Sequence, residues 1–113
     1  MHEMSIVYNL ISIVKEEMVK NKAARLRSVR VNIGEMSGIV PEALRTCFDI
    51  VTAKGDMKGS LLKIDTMPLV GYCRKCKKDF NVIDYKFLCP ECDSTDIDII
   101  SGREMNVVEI EVE

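Results

Sequence analysis

The amino-acid sequence predicts an α+β fold, with two helices packed on a three-stranded sheet and a small cysteine-bearing domain inserted between two strands. Three observations carry this prediction: apolar residues at helical spacing in two stretches, apolar alternation in three others, and two Cys-x-x-Cys pairs. Residues 1–70 and 102–113 are expected to form the helix–sheet domain, and residues 71–101 the inserted one. A chain of 113 residues has room for one full core plus a small appendage.

The first helix is predicted over residues 4–21, where apolar side chains recur at steps of three and four. These are Val7, Leu10, Ile11, Val14 and Met18. Asn21 is the expected stop. Residues 26–33 follow as a half-buried strand, because Val29, Val31 and Ile33 alternate with polar residues up to Gly34.

The second helix is predicted to begin at Pro41, a favourable first helical residue, with Glu42 in the first turn. Its apolar stripe includes Cys47, which is therefore expected to be a core thiol. Gly55 is the expected C-terminal cap of this helix.

Two further strands complete the predicted sheet. Residues 61–67 form one, and residues 103–112 form the other, which is too apolar to stand alone and should return to the sheet. Its alternation slips by one residue at Val107 and Val108, so we expect a β-bulge there.

Four cysteines are the strongest signal in the chain. Cys73 and Cys76 form one pair, Cys89 and Cys92 the other, with twelve residues between the pairs. Two such pairs facing each other offer four thiolates in a tetrahedron, the ligand set and geometry that suit structural Zn²⁺. The sequence therefore predicts that residues 71–101 form a four-cysteine zinc-ribbon domain. Two disulfides or a rubredoxin-type iron site are the alternatives.

Charge argues against a nucleic-acid surface on this ribbon. Residues 72–98 carry five basic and six acidic side chains, and four thiolates on one Zn²⁺ add further negative charge. The aromatic residues Phe80, Tyr85 and Phe87 are expected to form a miniature core in preference to a base-stacking platform. A site closed by four sulfurs has no open position for substrate, and no nucleophile with a neighbouring base is apparent, so the chain is not expected to be an enzyme.

Composition gives the expected location. The net charge is −2, no run of 18 apolar residues occurs, and Glu3 stands where a signal peptide would need positive charge. Cysteines in metal spacing fit a reducing compartment. The chain is expected to be cytoplasmic, with neither membrane nor nucleic acid as partner.

The amino terminus offers a second set of metal donors. His2, the one histidine of the chain, can chelate through the terminal amine of Met1, its own backbone nitrogen and its imidazole. Glu3 could add a fourth donor through its backbone nitrogen or its carboxylate. Planar nitrogen-rich sites suit Ni²⁺ and Cu²⁺ over Zn²⁺.

Over essentially its whole length, the chain resembles the HypA family of hydrogenase maturation factors and nickel metallochaperones. The resemblance is carried by MHEMS at residues 1–5, VNIGEMSG at 31–38, PEAL at 41–44, the two cysteine pairs and IEVE at 110–113. It implies that His2 is the principal Ni²⁺ ligand, with Glu3 and the Met1 amine beside it, and that the four cysteines hold structural Zn²⁺. It also implies a HypB-type GTPase as partner and delivery of Ni²⁺ to the large-subunit precursor of a [NiFe]-hydrogenase.

The chain departs from part of that family. Some members carry histidines beside the cysteine pairs, whereas Lys77 and Asp93 follow the pairs here. A nickel ligand from a ribbon imidazole is therefore excluded. The rival interpretation is a zinc-ribbon adaptor or nucleic-acid module with an inert amino terminus.

Overall fold

The structure is a computed structural model, and it describes residues 3–113. Its helices are α1 (Glu3–Lys20) and α2 (Pro41–Val51), with a single 3₁₀ turn at Gly55–Met57. Its strands are β1 (Leu26–Gly34), β2 (Leu61–Met67), β3 (Val70–Cys73), β4 (Lys78–Asn81), β5 (Ile97–Ser101) and β6 (Met105–Val112). They form two three-stranded sheets along a molecule with extents of 55 × 25 × 16 Å.

The larger sheet has the order β2-β1-β6, with β1 parallel to β2 and antiparallel to β6. Its central strand places Val29, Val31 and Ile33 in the core, where they are almost completely buried. Both helices cover this face, and Phe48 of α2 is fully buried there. We call this part of the molecule the body. The predicted arrangement of two helices on a three-stranded sheet is confirmed.

The bulge predicted in the last strand is also present. Arg30 pairs with Glu109 and Val31 with Val107, so Val108 has no opposite residue on β1. Val108 is half exposed. The extra residue lets apolar side chains on both sides of it reach the core face of the sheet.

The end of α2 differs from the prediction that Gly55 caps it. Thr52 is the C-cap, and both its backbone N–H and its side-chain hydroxyl donate to the carbonyl oxygen of Phe48. Because Thr52 is almost fully buried, these bonds satisfy groups that water cannot reach. Gly55 instead begins the 3₁₀ turn, with a φ of 85° that favours glycine.

The smaller sheet has the order β4-β3-β5, and we call residues 70–101 the ribbon. Gly71 lies at the centre of this sheet, where an added Cβ would stand 2.9 Å from Ile97 and 3.0 Å from Phe80. The missing side chain therefore lets Ile97 and Phe80 approach each other across β3. The predicted miniature aromatic core is wrong for Tyr85, which is 60% exposed, while Phe80 and Phe87 are half-buried.

The body and the ribbon meet at a close backbone crossing. An added Cβ on Gly34 would lie 2.2 Å from the carbonyl of Gly102, and one on Gly102 would lie 2.8 Å from the Cα of Leu69. Hydrogen bonds from the amide of Leu69 to the Glu35 carboxylate and from the amide of Met36 to Gly102 fasten the same crossing. The division of the chain into residues 1–70 with 102–113 and residues 71–101 stays a prediction.

Helix α1 is amphipathic, and its apolar side faces the core of the body. In the part of the chain that the structure describes, no helix is both long and apolar enough to cross a membrane.

Candidate metal centres

The four cysteines converge at one end of the ribbon. Their Sγ atoms all lie within 4.8 Å of one another, in the one such cluster of histidine, cysteine or acidic side chains found among residues 3–113. Cys73 and Cys89 are buried, whereas Cys76 and Cys92 are half-buried. Because the Sγ of Cys73 lies 3.7 Å from that of Cys92, and the Sγ of Cys76 lies 3.8 Å from that of Cys89, neither contact is a disulfide.

These separations fit a tetrahedral metal ion. Zinc–sulfur bonds of about 2.3 Å in a regular tetrahedron place the sulfurs about 3.8 Å apart. The residues present can therefore hold one metal ion among four thiolates. Iron in a rubredoxin-type site would use the same ligands.

Each cysteine pair turns back on itself in the same way. The amide of Lys77 donates to the carbonyl oxygen of Cys73, and the amide of Asp93 donates to that of Cys89, at 2.7 and 2.9 Å. Lys77 and Asp93 have φ angles of 60° and 58°, a left-handed conformation that non-glycine residues seldom adopt. These matched turns direct both sulfurs of each pair to a common point.

The closeness of the four sulfurs shifts the pKa values of the cysteine thiols. The hydrogen bond to Cys92, with burial in support, raises the pKa of Cys76 to about 12. Burial also raises the pKa of Cys89, but amide N–H groups of Glu91 and Cys92 outweigh it and lower that pKa to about 7. Four thiolates at these distances repel one another, so a bound cation is what favours the fully ionised set.

Ion pairs join the two cysteine pairs outside the sulfur cluster. Lys78 contacts Glu91 at 3.1 Å, which links the strand after the first pair to the loop of the second. Arg74 donates to Asp98 at 2.8 Å and pairs with Asp96 at 3.4 Å. The pKa of Lys78 is raised mainly by its hydrogen bond to Glu91, and only secondarily by the thiols. These two basic side chains therefore interact mainly with carboxylates of the ribbon and less with the thiols.

The amino-terminal donors are described only in part. Met1 and His2 lie outside the described residues, while Glu3 is the first residue of α1. A carboxylate oxygen of Glu3 accepts a hydrogen bond from the amide of Val40, at 3.3 Å. Val40 is the N-cap of α2 and has no side-chain cap of its own. Glu3 thus joins the start of α1 to the start of α2.

Sequence reasoning missed that contact. An acidic residue in a first turn indicates a favourable interaction with its own helix dipole. The N-cap of α2 is Val40, which has no side-chain oxygen, whereas serine, threonine or aspartate is usual at this position. This is the one sign in the sequence that the start of α2 needs an acceptor from elsewhere. Nothing in the sequence shows that Glu3 is the residue that supplies one.

Together, the fold and the cysteine site define a small α+β metal-binding protein with a four-cysteine ribbon. The family described as "Hydrogenase/urease nickel incorporation, metallochaperone, hypA" matches residues 1–112. A hydrogenase maturation factor HypA of Geobacter sulfurreducens is 39% identical over 113 residues, with both chains completely covered. One of Geotalea uraniireducens is 36% identical, again over the full length of both.

Solved structures agree with the sequence comparison. A solution structure of a HypA protein superposes with a TM-score of 0.74 at 30% identity, covering 100% of this chain and 97% of the other. The solution structure of the Ni metallochaperone HypA from Helicobacter pylori gives a TM-score of 0.69 at 28% identity, covering 99% and 97%. The chain belongs to the HypA family, whose members are hydrogenase maturation factors and nickel metallochaperones.

Proposed function

We propose that the chain binds Ni²⁺ at its amino terminus and delivers it to the large-subunit precursor of a [NiFe]-hydrogenase. A HypB-type GTPase acts as partner, and delivery takes place in the cytoplasm. One observation carries the proposal: the chain belongs to a nickel metallochaperone family, and its one histidine stands at position 2. With Zn²⁺ held by all four of its sulfurs, the cysteine cluster would have no open position for a transported ion.

The cysteine cluster has a structural role in this proposal. Cys73, Cys76, Cys89 and Cys92 hold Zn²⁺, which supplies a cross-link between the two halves of the ribbon. Sulfur separations of 3.7 and 3.8 Å support this assignment, since they match the edges of a zinc–sulfur tetrahedron. Iron content and a red colour would identify the rubredoxin alternative.

At the terminus, Ni²⁺ is held by the Met1 amine, the His2 backbone nitrogen and the His2 imidazole. Glu3 adds the fourth donor, through its backbone nitrogen or through its carboxylate, of which one oxygen accepts from the Val40 amide. The first N–H groups of a helix have no intrahelical partner, so deprotonating them breaks no helical bond. Protonation of the donors or competition from acceptor thiolates then releases the ion without unfolding the body.

The first experiment measures nickel and zinc content in the native chain, in His2→Ala and in a version with residues added before Met1. The native chain should bind one Ni²⁺, and both altered forms should bind none, while zinc stays at one per chain in all three. Intact-mass measurement checks whether Met1 is the terminal residue of the purified chain. Full nickel binding by the extended form would exclude the terminal amine as a ligand.

The second experiment separates the two possible donors of Glu3. Glu3→Gln and Glu3→Ala both keep the backbone nitrogen, but only Gln retains a side-chain oxygen for the Val40 amide. Both variants should retain Ni²⁺ if the backbone nitrogen is the donor. Loss of Ni²⁺ in both would assign the ligand to the carboxylate instead. The amide shift of Val40 reports in either case whether the contact between the two helices persists.

The adaptor interpretation predicts a different outcome. Salt-sensitive binding of DNA or RNA without stoichiometric nickel would favour it. Against it, two of the ribbon's five basic side chains, Arg74 and Lys78, are already paired with acidic side chains.

A further inference from the structure

A groove of about 420 Å³ runs between the ribbon and the loop of the body that follows β1. Its apolar lining comes from Ile97 and Ile99 of β5, from Phe87 and Tyr85 of the loop after β4, and from Met36 of the body. Tyr85 is exposed and the other four side chains are half-buried. The groove therefore exposes apolar atoms to water. We refer to it as the ribbon groove.

An edge strand lies along the ribbon groove. In the order β4-β3-β5, the strand β5 pairs with β3 on one side and with no other strand of the described chain on its outer side. Such an edge presents backbone N–H and C=O groups that can pair with an incoming strand. Ile97 and Ile99 are two residues apart, so both project to the same face, where alternate side chains of an added strand would meet them.

Tyr85 is held at the groove by an uncommon turn. In residues 83–86 the amide of Lys86 donates to the carbonyl oxygen of Ile83, and both central residues have positive φ, 53° for Asp84 and 56° for Tyr85. Turns of this kind favour Asn, Asp and Gly, so Asp84 suits its position, whereas the left-handed conformation costs Tyr85 about 1–2 kcal/mol. The ribbon keeps an exposed tyrosine here in spite of that cost. Backbone strain of this kind clusters where a side chain is presented to a ligand.

The charge of the groove identifies the chemistry of its occupant. Arg103 is its one charged lining residue, and it is exposed and forms no ion pair within residues 3–113. The ribbon groove, which is apolar with a single guanidinium at its side, is complementary to an apolar peptide segment that carries one carboxylate. The neighbouring Glu104 forms no ion pair with Arg103 within residues 3–113; its carboxylate instead accepts from Ser101 and Gly102.

We propose that the ribbon groove binds an extended peptide segment of a partner protein as an added strand on β5. The segment has apolar side chains at alternate positions and a carboxylate that pairs with Arg103. This binding is separate from nickel binding, so His2→Ala should leave it unchanged.

The test selects random twelve-residue peptides displayed on phage against the zinc-loaded full chain, then measures the strongest by fluorescence anisotropy. Enriched peptides should alternate apolar residues and contain Asp or Glu. Arg103→Glu should weaken their binding by about tenfold or more, and the same selection on Arg103→Glu should enrich Lys or Arg instead. Lys54→Glu, an exposed charge reversal outside the groove, is the matched control and should have no effect.

Tyr85→Gly distinguishes a binding role from a structural one. Glycine relieves the positive φ, so this variant should keep or raise the midpoint of thermal unfolding while it weakens peptide binding several-fold. Amide shifts on peptide addition should fall on β5 and on Met36.

Three results would overturn the proposal. The first is no enrichment, and the second is enriched peptides that bind Arg103→Glu as tightly as the native chain. The third is a dimer of the native chain in light scattering that Arg103→Glu dissociates, which would make a second copy the occupant. Zinc content and the amide spectrum of each variant confirm that it is folded.

Discussion

The body and the ribbon each contain a sheet with the same number of strands, but the two regions differ in what stabilises them. The body buries fifteen apolar side chains in one cluster between its helices and its sheet. Within the ribbon, the buried apolar residues are Cys73, Val82 and Cys89, and two of these are members of the sulfur cluster. A unit with so little apolar core is expected to need a metal ion on its cysteines to stay folded, whereas the body has a core of its own. The comparison teaches that the ribbon is organised around its cysteine site, whereas the body is organised around an apolar core.

The largest expected effect comes from removing a sulfur. Cys89→Ser should abolish zinc binding and unfold the ribbon, because structural zinc supplies on the order of 10 kcal/mol to such small units. Amide signals of β3, β4 and β5 should collapse, while those of β1 and β2 keep their positions. Cys47→Ser is the matched control, since Cys47 packs at the edge of the body core, and it should retain one zinc per chain. A ribbon that stays folded without zinc would refute the comparison.

The second effect is on the body. Phe48→Ala removes a fully buried side chain and should lower the free energy of unfolding of the body by about 3–5 kcal/mol. Zinc content should not change, because the ribbon has its own source of stability. Denaturant unfolding followed by helical circular dichroism, with zinc measured in parallel, checks both statements. Loss of zinc at the same denaturant concentration as loss of helix would show that the two regions unfold as one.

The crossing between the two regions gives an intermediate effect. Gly34→Ala would place a Cβ 2.2 Å from backbone atoms of Gly102, so the strand and the crossing must separate, at a cost of about 3 kcal/mol. Gly38→Ala is the control: its φ is 78° but no atom lies within 4 Å of the added Cβ, and strain alone costs about 1 kcal/mol. Equal destabilisation by the two substitutions would show that the close packing at the crossing does not contribute to the stability of the fold.

The smallest effect is a pH dependence at the same crossing. Backbone N–H groups, its own first and that of Gly102 next, lower the pKa of Glu104 against the opposing effect of burial. A lowered pKa means that the carboxylate stabilises the fold above its ordinary value of 4.5 and that this contribution is lost as pH falls through the folded-state pKa. Glu104→Gln should therefore be less stable than the native chain at pH 7, by less than Gly34→Ala. The difference should narrow below pH 4.5, and a constant difference would contradict the assignment.

Local signals in the sequence predicted much of the body. The limits of β2 were predicted at residues 61–67, and the bulge at Val108 followed from a one-residue slip in alternation. Both depend on side chains that are neighbours in sequence. The predicted end of α2 was wrong. Glycine is the commoner C-terminal cap, and the sequence does not show that the Thr52 hydroxyl would reach the carbonyl oxygen of Phe48.

The candidate sites were predictable to different degrees. The spacing of the cysteines predicted their convergence because the ligand pattern is local to each pair. The bond from Val40 to Glu3 and the exposure of Tyr85 were not predictable, since each depends on how distant segments pack. His2 and Met1 remain predictions as nickel ligands.

The most direct test of the division between the two metal sites is X-ray absorption on one sample loaded with both metals. The zinc edge should report four sulfur neighbours at about 2.3 Å, and the nickel edge nitrogen and oxygen neighbours without sulfur. Sulfur in the nickel shell would show that the cysteines hold the transported ion, and it would contradict the account.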